Sequence, residues 1–289
     1  MPLPPLLLLI VVLLAVASMA PARTPAFDQN YVPAWGADDF HLVNQGTKIR
    51  LAMDKNSGAG FASKLSYGSG FFRMRIKVPG GYTAGVVTAF YLTSEPDSGN
   101  HDEVDFEFLG NVDGKPITLQ TNVFVNGHGR REQSLHLWFN PAANFHDYKI
   151  LWNPYQLVIF VDERPIRVLR NLTGSVPGYE FPAKPMRVRA SLWDGSAWAT
   201  DGGKTKIDWN RAPFTAGFQG FSIHACGSNS STPCNSPDRR WNRNKYRSLT
   251  AEQRAAYQNV QKMYMIYDYC ADKKERFKNG TVPAECSYN

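Results

Sequence analysis

Cysteine is scarce in this chain and lopsided in its placement. There are four in 289 residues, and the first is Cys226. None are spaced Cys-x-x-Cys, so a zinc site has no support in the spacing. Long apolar runs are equally rare, with a single one at the amino terminus, so nothing beyond it reads as a membrane span. Internal repeats are absent, and low complexity is confined to that first run. Helical periodicity is almost missing before about residue 226, which excludes a helical bundle. The net charge is +7, but the basic residues are scattered and no helix-turn-helix or zinc pattern accompanies them, so nucleic acid is a poor partner. Solubility accounts for the charge, and attraction to an acidic matrix is a further reading.

The chain is long enough for one large domain, or one domain plus an appendage, with a sizeable core. Its opening stretch, PLPPLLLLIVVLLAVASMAPA, is apolar and ends in small residues. That pattern resembles a secretory signal over residues 1–22, cut after Ala22, since Ala20-Pro21-Ala22 fits A-x-A. The run has no Lys or Arg before it, and it is short and proline-bearing for a membrane anchor. An exported chain meets an oxidising compartment, so Cys226, Cys234, Cys270 and Cys286 are expected to form disulfides. Local pairing, Cys226 with Cys234 and Cys270 with Cys286, is favoured among three connectivities. Asn171, Asn229 and Asn279 each begin an N-x-S/T sequon and are candidate glycosylation sites.

From about residue 40 to 225 the chain reads as short strands separated by Gly and Pro. FRMRIKV sets Phe72, Met74, Ile76 and Val78 against Arg73, Arg75 and Lys77; MRVRASLW sets Met186, Val188, Ala190 and Leu192 against Arg187, Arg189, Ser191 and Trp193. In ITLQTNVFV, Thr121 falls with Ile117, Leu119 and Val123, opposite Gln120 and Asn122. QLVIFVDERPIRV reads as two strands around a polar turn. An all-β sandwich or jelly roll follows. After residue 226 a Ser/Asn/Pro stretch leads into SLTAEQRAAYQNVQKMYMIYDYC, which has a helix signature. Thr250 caps it and Gln253 completes a capping box, with Tyr257, Val260, Met263 or Tyr264, and Tyr267 near helical spacing for packing on the sandwich. The expected organisation is a leader over 1–22, a catalytic sandwich over 23–225 and an extension over 226–289. The 17 Phe, 13 Tyr and 7 Trp fit a carbohydrate or apolar-ligand cleft.

The densest signal is NHDEVDFEFLGN, residues 100–111. On a strand Glu103, Asp105 and Glu107 share one face and Val104, Phe106 and Phe108 the other. The two glutamates are separated by ~13 Å between Cα atoms, which side chains leaning inward can close to the ~5–5.5 Å of a retaining glycosidase pair. Three like charges so placed repel, so one group holds its proton near neutrality. Solvated acidic surface and a calcium site are the plainer readings. His101 shares the face as a hydrogen-bonding neighbour.

With its flanks, HDEVDFEFLGN resembles the signature of the plant xyloglucan endotransglucosylase/hydrolases of glycoside hydrolase family 16. The likeness continues through LQTNVFVNG, REQ, LWFNP, WNPYQLVIFVDERPIRV, SLWDGSAWATDGGKTKIDW and YMIYDYCADKKERF. It implies a concanavalin-like β-jelly-roll sandwich with an open cleft and a short helix-bearing C-terminal extension. It also implies a secreted, apoplastic, monomeric glycoprotein acting on xyloglucan as donor and acceptor in the cell wall, with no cofactor and no metal. By that resemblance Glu103 is the nucleophile, Asp105 its tuning neighbour and Glu107 the general acid/base. Gln120, Thr121 and Asn122 become glucan contacts, followed by Arg130, Arg131 and Glu132 on the next loop. Ala197, Trp198 and Gly202 fall on the acceptor side, with Arg276 from the tail. Trp193 shares a face with Arg187 and Arg189. Both Trp193 and Trp198 also admit a core role, though a Gly-rich loop favours Trp198 as a sugar platform. Two departures stand out. Asn111-Val112-Asp113 is not a sequon, where many relatives carry one, and the loop between Asn122 and Glu132 is short, which leans toward transfer over hydrolysis.

Overall fold

The structure is a computed structural model that describes residues 26–95, 99–272, 276–277 and 282–288. The leader and Asn279 lie outside the described residues. Among the described residues, sixteen strands form one branched hydrogen-bonded network in which the pairings are antiparallel. The network folds into two layers. One runs Tyr31–Trp35, Ala59–Ser63, Met186–Asp194, Val86–Ser94, Glu103–Leu109, Thr118–Phe124, Gln133–His136 and Met265–Asp268. The other runs Arg164–Arg170, Gln156–Val161, His146–Trp152 and Tyr67–Lys77, and from the last to Ile223–Gly227 and Phe214–Gln219. It ends in Lys48–Met53 and Phe40–Val43. The Tyr67–Lys77 strand meets the first layer only at Met186↔Tyr67.

Alternation explains the sandwich. Val104, Phe106 and Phe108 are at most 1% exposed, and burial of each such side chain contributes about 1.5–3 kcal/mol. They meet the other layer through Tyr148, whose ring lies 5.7 Å from Phe106 and 4.8 Å from Phe108 in edge-on contact. Phe61 makes the same kind of contact with Phe218 at 5.3 Å.

Strands begin earlier than the residue pattern suggested, at Tyr31. Pro33 hides this one from a sequence reading, yet proline is tolerated here because the strand is at an edge and pairs only with Ala59–Ser63. The helix is Ala251–Met263, with both hydrogen bonds of the Thr250/Gln253 capping box. Its Tyr257 packs with Leu151, Val158, Val168 and Trp241. It is shorter than its stripe implied: Met263 is exposed and Tyr267 is not helical. Met265–Asp268 instead adds a strand to the open edge at Gln133–His136, where backbone groups would otherwise lack partners. Both disulfides form as the local spacing suggested, Cys226–Cys234 and Cys270–Cys286.

Candidate active site

The strand Glu103–Leu109 sits in the middle of the first layer, between Val86–Ser94 and Thr118–Phe124. Its apolar residues anchor it from below, so its register places the three carboxylates on the opposite face without freedom to slip. Cross-strand pairing sets their neighbours. Glu103 lies opposite Thr93 and Phe124, Asp105 opposite Tyr91 and Asn122, and Glu107 opposite Ala89 and Gln120.

The three environments differ. Asp105 is 6% exposed, and burial first, then the charges of Glu103 and Glu107, raise its pKa well above the usual carboxylate range. Buried Arg167 opposes this weakly. Burial also raises Glu103, offset by the hydroxyl of Thr93 and by His101, whose Nε2 is 4.0 Å from Glu103 Oε1. Thr93 Oγ1 makes no hydrogen bond of good geometry, so its influence is that of a nearby dipole. A hydrogen bond from Asp105 to Glu103 stabilises the ionised glutamate and the protonated aspartic acid together. Glu107 is raised by burial and lowered by Gln120, whose Nε2 donates to Glu107 Oε2 at 3.0 Å. Of the three, Asp105 is therefore the carboxyl held furthest toward its protonated form, beside Glu103, whose carboxylate that proton stabilises, while Glu107 is pushed the same way by burial and held back by Gln120.

Gln120 is held in turn by Ser134, whose hydroxyl donates to Gln120 Oε1 at 3.3 Å. Asn122 shares the carboxylate face, and its Oδ1 accepts from the backbone N–H of Arg131 at 3.0 Å. Its Nδ2 reaches Glu132 Oε1 at 3.5 Å. Glu132 also takes the guanidinium of Arg276, which donates to the Arg130 carbonyl at 2.8 Å. Asn122, the 130–132 loop and the tail thus form one connected rim. Thr121 stands apart: it is fully buried on the opposite face, where Arg167 Nη1 donates to its hydroxyl at 3.1 Å and its carbonyl at 3.0 Å. The Arg131 guanidinium also turns inward, to Glu285 at 2.7 Å, while Arg130 is exposed. Trp193 and Trp198 come within 6.2 Å of each other, and Trp198 is 37% exposed, which removes it from the core. Ala197 and Gly202 are exposed in the same loop, Gly202 at φ 64°. Of the two described sequons, Asn229 is exposed, whereas Asn171 Nδ2 donates to the Pro154 carbonyl at 2.9 Å.

Residue-level reading missed Asp102, which is 2% exposed and accepts from the backbone N–H groups of Asn126, Ala183 and Lys184 at 2.9, 2.7 and 2.9 Å. It ties two loops to the start of the carboxylate strand. Its parity, opposite to that of its acidic neighbours, was the available signal. It also missed Glu285, 2% exposed in the tail. Among the described residues no group of three or more His, Cys, Asp or Glu is gathered to hold a metal ion.

Comparison with known proteins adds to this geometry. The model of glycosyl hydrolases family 16 matches residues 27–211, and that of the xyloglucan endo-transglycosylase C-terminus matches residues 235–286. Xyloglucan endotransglucosylase/hydrolase protein 2 of Arabidopsis thaliana is 53% identical over 91% of this chain and 89% of its own length. Xyloglucan endotransglucosylase/hydrolase protein A of Phaseolus angularis is 46% identical over 96% of each. Among solved structures, a Bacillus licheniformis β-glucanase superposes with a TM-score of 0.53 at 22% identity, covering 66% of this chain and 89% of that one. A prokaryotic β-1,3-1,4-glucanase derived from a mouse hindgut metagenome reaches 0.54 at 22% identity, covering 68% and 94%. Those two likenesses concern the jelly-roll fold. On the family models and the close relatives together, this chain belongs to the xyloglucan endotransglucosylase/hydrolases of glycosyl hydrolase family 16.

Proposed function

We propose that the protein is a retaining endo-transglycosylase that cuts the β-1,4-glucan backbone of xyloglucan and rejoins it to another xyloglucan chain. The observation that carries this reading is the single face bearing Glu103, Asp105 and Glu107, with Gln120 on the last of them and the tail built into the same sheet. Glu103 attacks the anomeric carbon while Glu107 gives its proton to the departing glycosidic oxygen, forming a glycosyl-enzyme ester. Asp105 keeps its proton and donates it in a hydrogen bond to Glu103, tempering the nucleophile's charge. Glu107, now a carboxylate, takes the proton of the incoming hydroxyl as that oxygen displaces Glu103. A sugar hydroxyl religates the chain; water cuts it.

The short 122–132 loop and the aromatic pair Trp193/Trp198 support transfer, because an acceptor held in place outcompetes water. The reaction as written calls for no metal or organic cofactor. Removal of residues 1–22, export to the plant cell wall and action as a monomer complete the reading. Two disulfides fit an oxidising compartment, and among the described residues no helix is long and apolar enough to cross a membrane.

The test incubates secreted protein with xyloglucan polymer, with and without labelled xyloglucan oligosaccharides. Label entering polymer with few new reducing ends is expected. Reducing ends without incorporation make the enzyme a hydrolase. Full turnover by Glu103→Gln or Glu107→Gln overturns the assignment of roles.

A further inference from the structure

A second row of residues on the carboxylate face leads away from Glu107. Reading across the strands by register, Glu107 pairs with Ala89, Ala89 with Ser191, Ser191 with Gly60, and Gly60 with Trp35. Directly opposed residues share a face, so these five lie in one line across the sheet. The three between the ends have side chains too short to stand above the backbone. The adjacent row is different: Asp105, Tyr91 and Arg189 all stand up from it. On the other flank, Gly195 packs so closely on Val87 that an added Cβ would come within 2.5 Å of it, which brings the loop carrying Trp198 over that row. The line from Glu107 to Trp35 is thus a low floor between two raised borders.

Trp35 closes it. The side chain is 44% exposed, although it is a large aromatic on a strand of the sheet. Its seat is made by two glycines of the neighbouring segment. A Cβ on Gly60 would lie 2.4 Å from Trp35 Nε1, and one on Gly58 3.3 Å from Trp35 Cη2. A third glycine, Gly36, at φ 67°, lets the chain turn away immediately after the indole. Among the described residues no protein group accepts a hydrogen bond from Trp35 Nε1–H, which leaves it open to a hydroxyl. An exposed ring bedded on glycine backbone, with a spare donor, is built to take the apolar face of a sugar.

We propose that Trp35 is a binding platform for the glucan segment on the side of the carboxylates away from the tail. Gly60 lies three strands from the Glu107 strand, or ~14 Å at the usual inter-strand spacing, so the platform meets a sugar several units from the bond being cut. The tail strand Met265–Asp268 is on the far side of Glu107, beyond Gln120 and Ser134. The two ends of the cleft are therefore recognised by different parts of the chain. This rests on the β-glucan reading above, and the experiment separates the two.

Binding of xyloglucan oligosaccharides of graded length is measured by calorimetry on Glu103→Gln and on Glu103→Gln carrying Trp35→Ala, Trp35→Leu or Trp35→Phe. Trp35→Leu keeps apolar cover over the glycines without a flat ring, and so distinguishes lost stacking from lost folding. Long chains are expected to bind about tenfold more weakly to the Ala and Leu variants, with Phe restoring most of the loss by returning a flat ring to the site. Chains too short to span from the carboxylates to Trp35 are expected to bind the four proteins alike. Leu42→Ala, at an exposed position outside the row, serves as a control that leaves affinity unchanged. Equal affinity of all variants for long chains, or equal losses for long and short ones, overturns the proposal. No binding of any length by the Glu103→Gln parent would instead overturn the xyloglucan reading beneath it.

Discussion

Replacing Glu285 by Ala tests how the tail is fastened to the cleft. Glu285 Oε1 takes Arg131 Nε–H at 2.7 Å, with side chains 3% and 19% exposed, and Tyr269 adds its hydroxyl at 3.4 Å. Removing one partner of a buried ion pair costs ~3–5 kcal/mol, because the remaining charge is left without its counterion. Arg131 keeps two other acceptors, the carbonyls of His128 at 2.6 Å and Val123 at 3.4 Å, and has some access to water. That places the loss at the lower end, ~3 kcal/mol. For a chain of this size each kcal/mol moves Tm by about 2–4 °C, so a fall of roughly 6–12 °C is expected by differential scanning calorimetry. Pairing Glu285→Leu with Arg131→Met should recover most of it, since two apolar side chains leave no orphan charge. A decrease under about 2 °C in the single variant would refute the claim that this pair is buried and fastening.

Gln120→Leu removes the donor that favours ionised Glu107. The general acid works only while protonated, so activity is lost as pH rises through its pKa; removing Gln120 raises that pKa, and the alkaline limb of kcat against pH should move upward. A limb that stays put or moves down would contradict the assignment. Asp102→Ala strips three backbone N–H groups of their acceptor at ~1–3 kcal/mol apiece, so a loss of at least ~3 kcal/mol is expected in urea unfolding. Thr250→Ala removes one half of the capping box and should lower stability by ~1 kcal/mol, measured the same way.

Much of this site was legible because strand parity is a strict rule. Once 103–109 is read as a strand, the carboxylates must share a face, and Gln120 and Asn122 must share one on theirs. What parity does not state is which strands become neighbours. Gly60 and Ser191 are 131 positions apart in the chain, and only the register joins them in the row that ends at Trp35. The tail shows a different blind spot. Tyr267 fits helical spacing, but the open edge at Gln133–His136 offers its segment a full set of backbone partners, and that tertiary opportunity overrides the local pattern. The resemblance put Arg131 among the glucan contacts, yet its guanidinium points to a buried glutamate that nothing local announces.

The middle carboxylate is the least obvious part of the design. An asparagine at position 105 would also donate a hydrogen bond to Glu103, and it would not repel either neighbour. The structure indicates what the acid adds. Asp105 is the most buried of the three and feels both glutamates, so of the group it is the natural holder of a proton while Glu103 is ionised. In the proposed reaction esterification removes the charge of Glu103, which is the larger of the two carboxylate charges that oppose ionisation of Asp105. The aspartic acid can then lower its own proton affinity in step with the reaction and raise it again as the ester breaks. An amide donates the same bond but cannot follow the charge. Burial holds Asp105 where this exchange takes place inside the protein, sheltered from the screening that would flatten it at the surface.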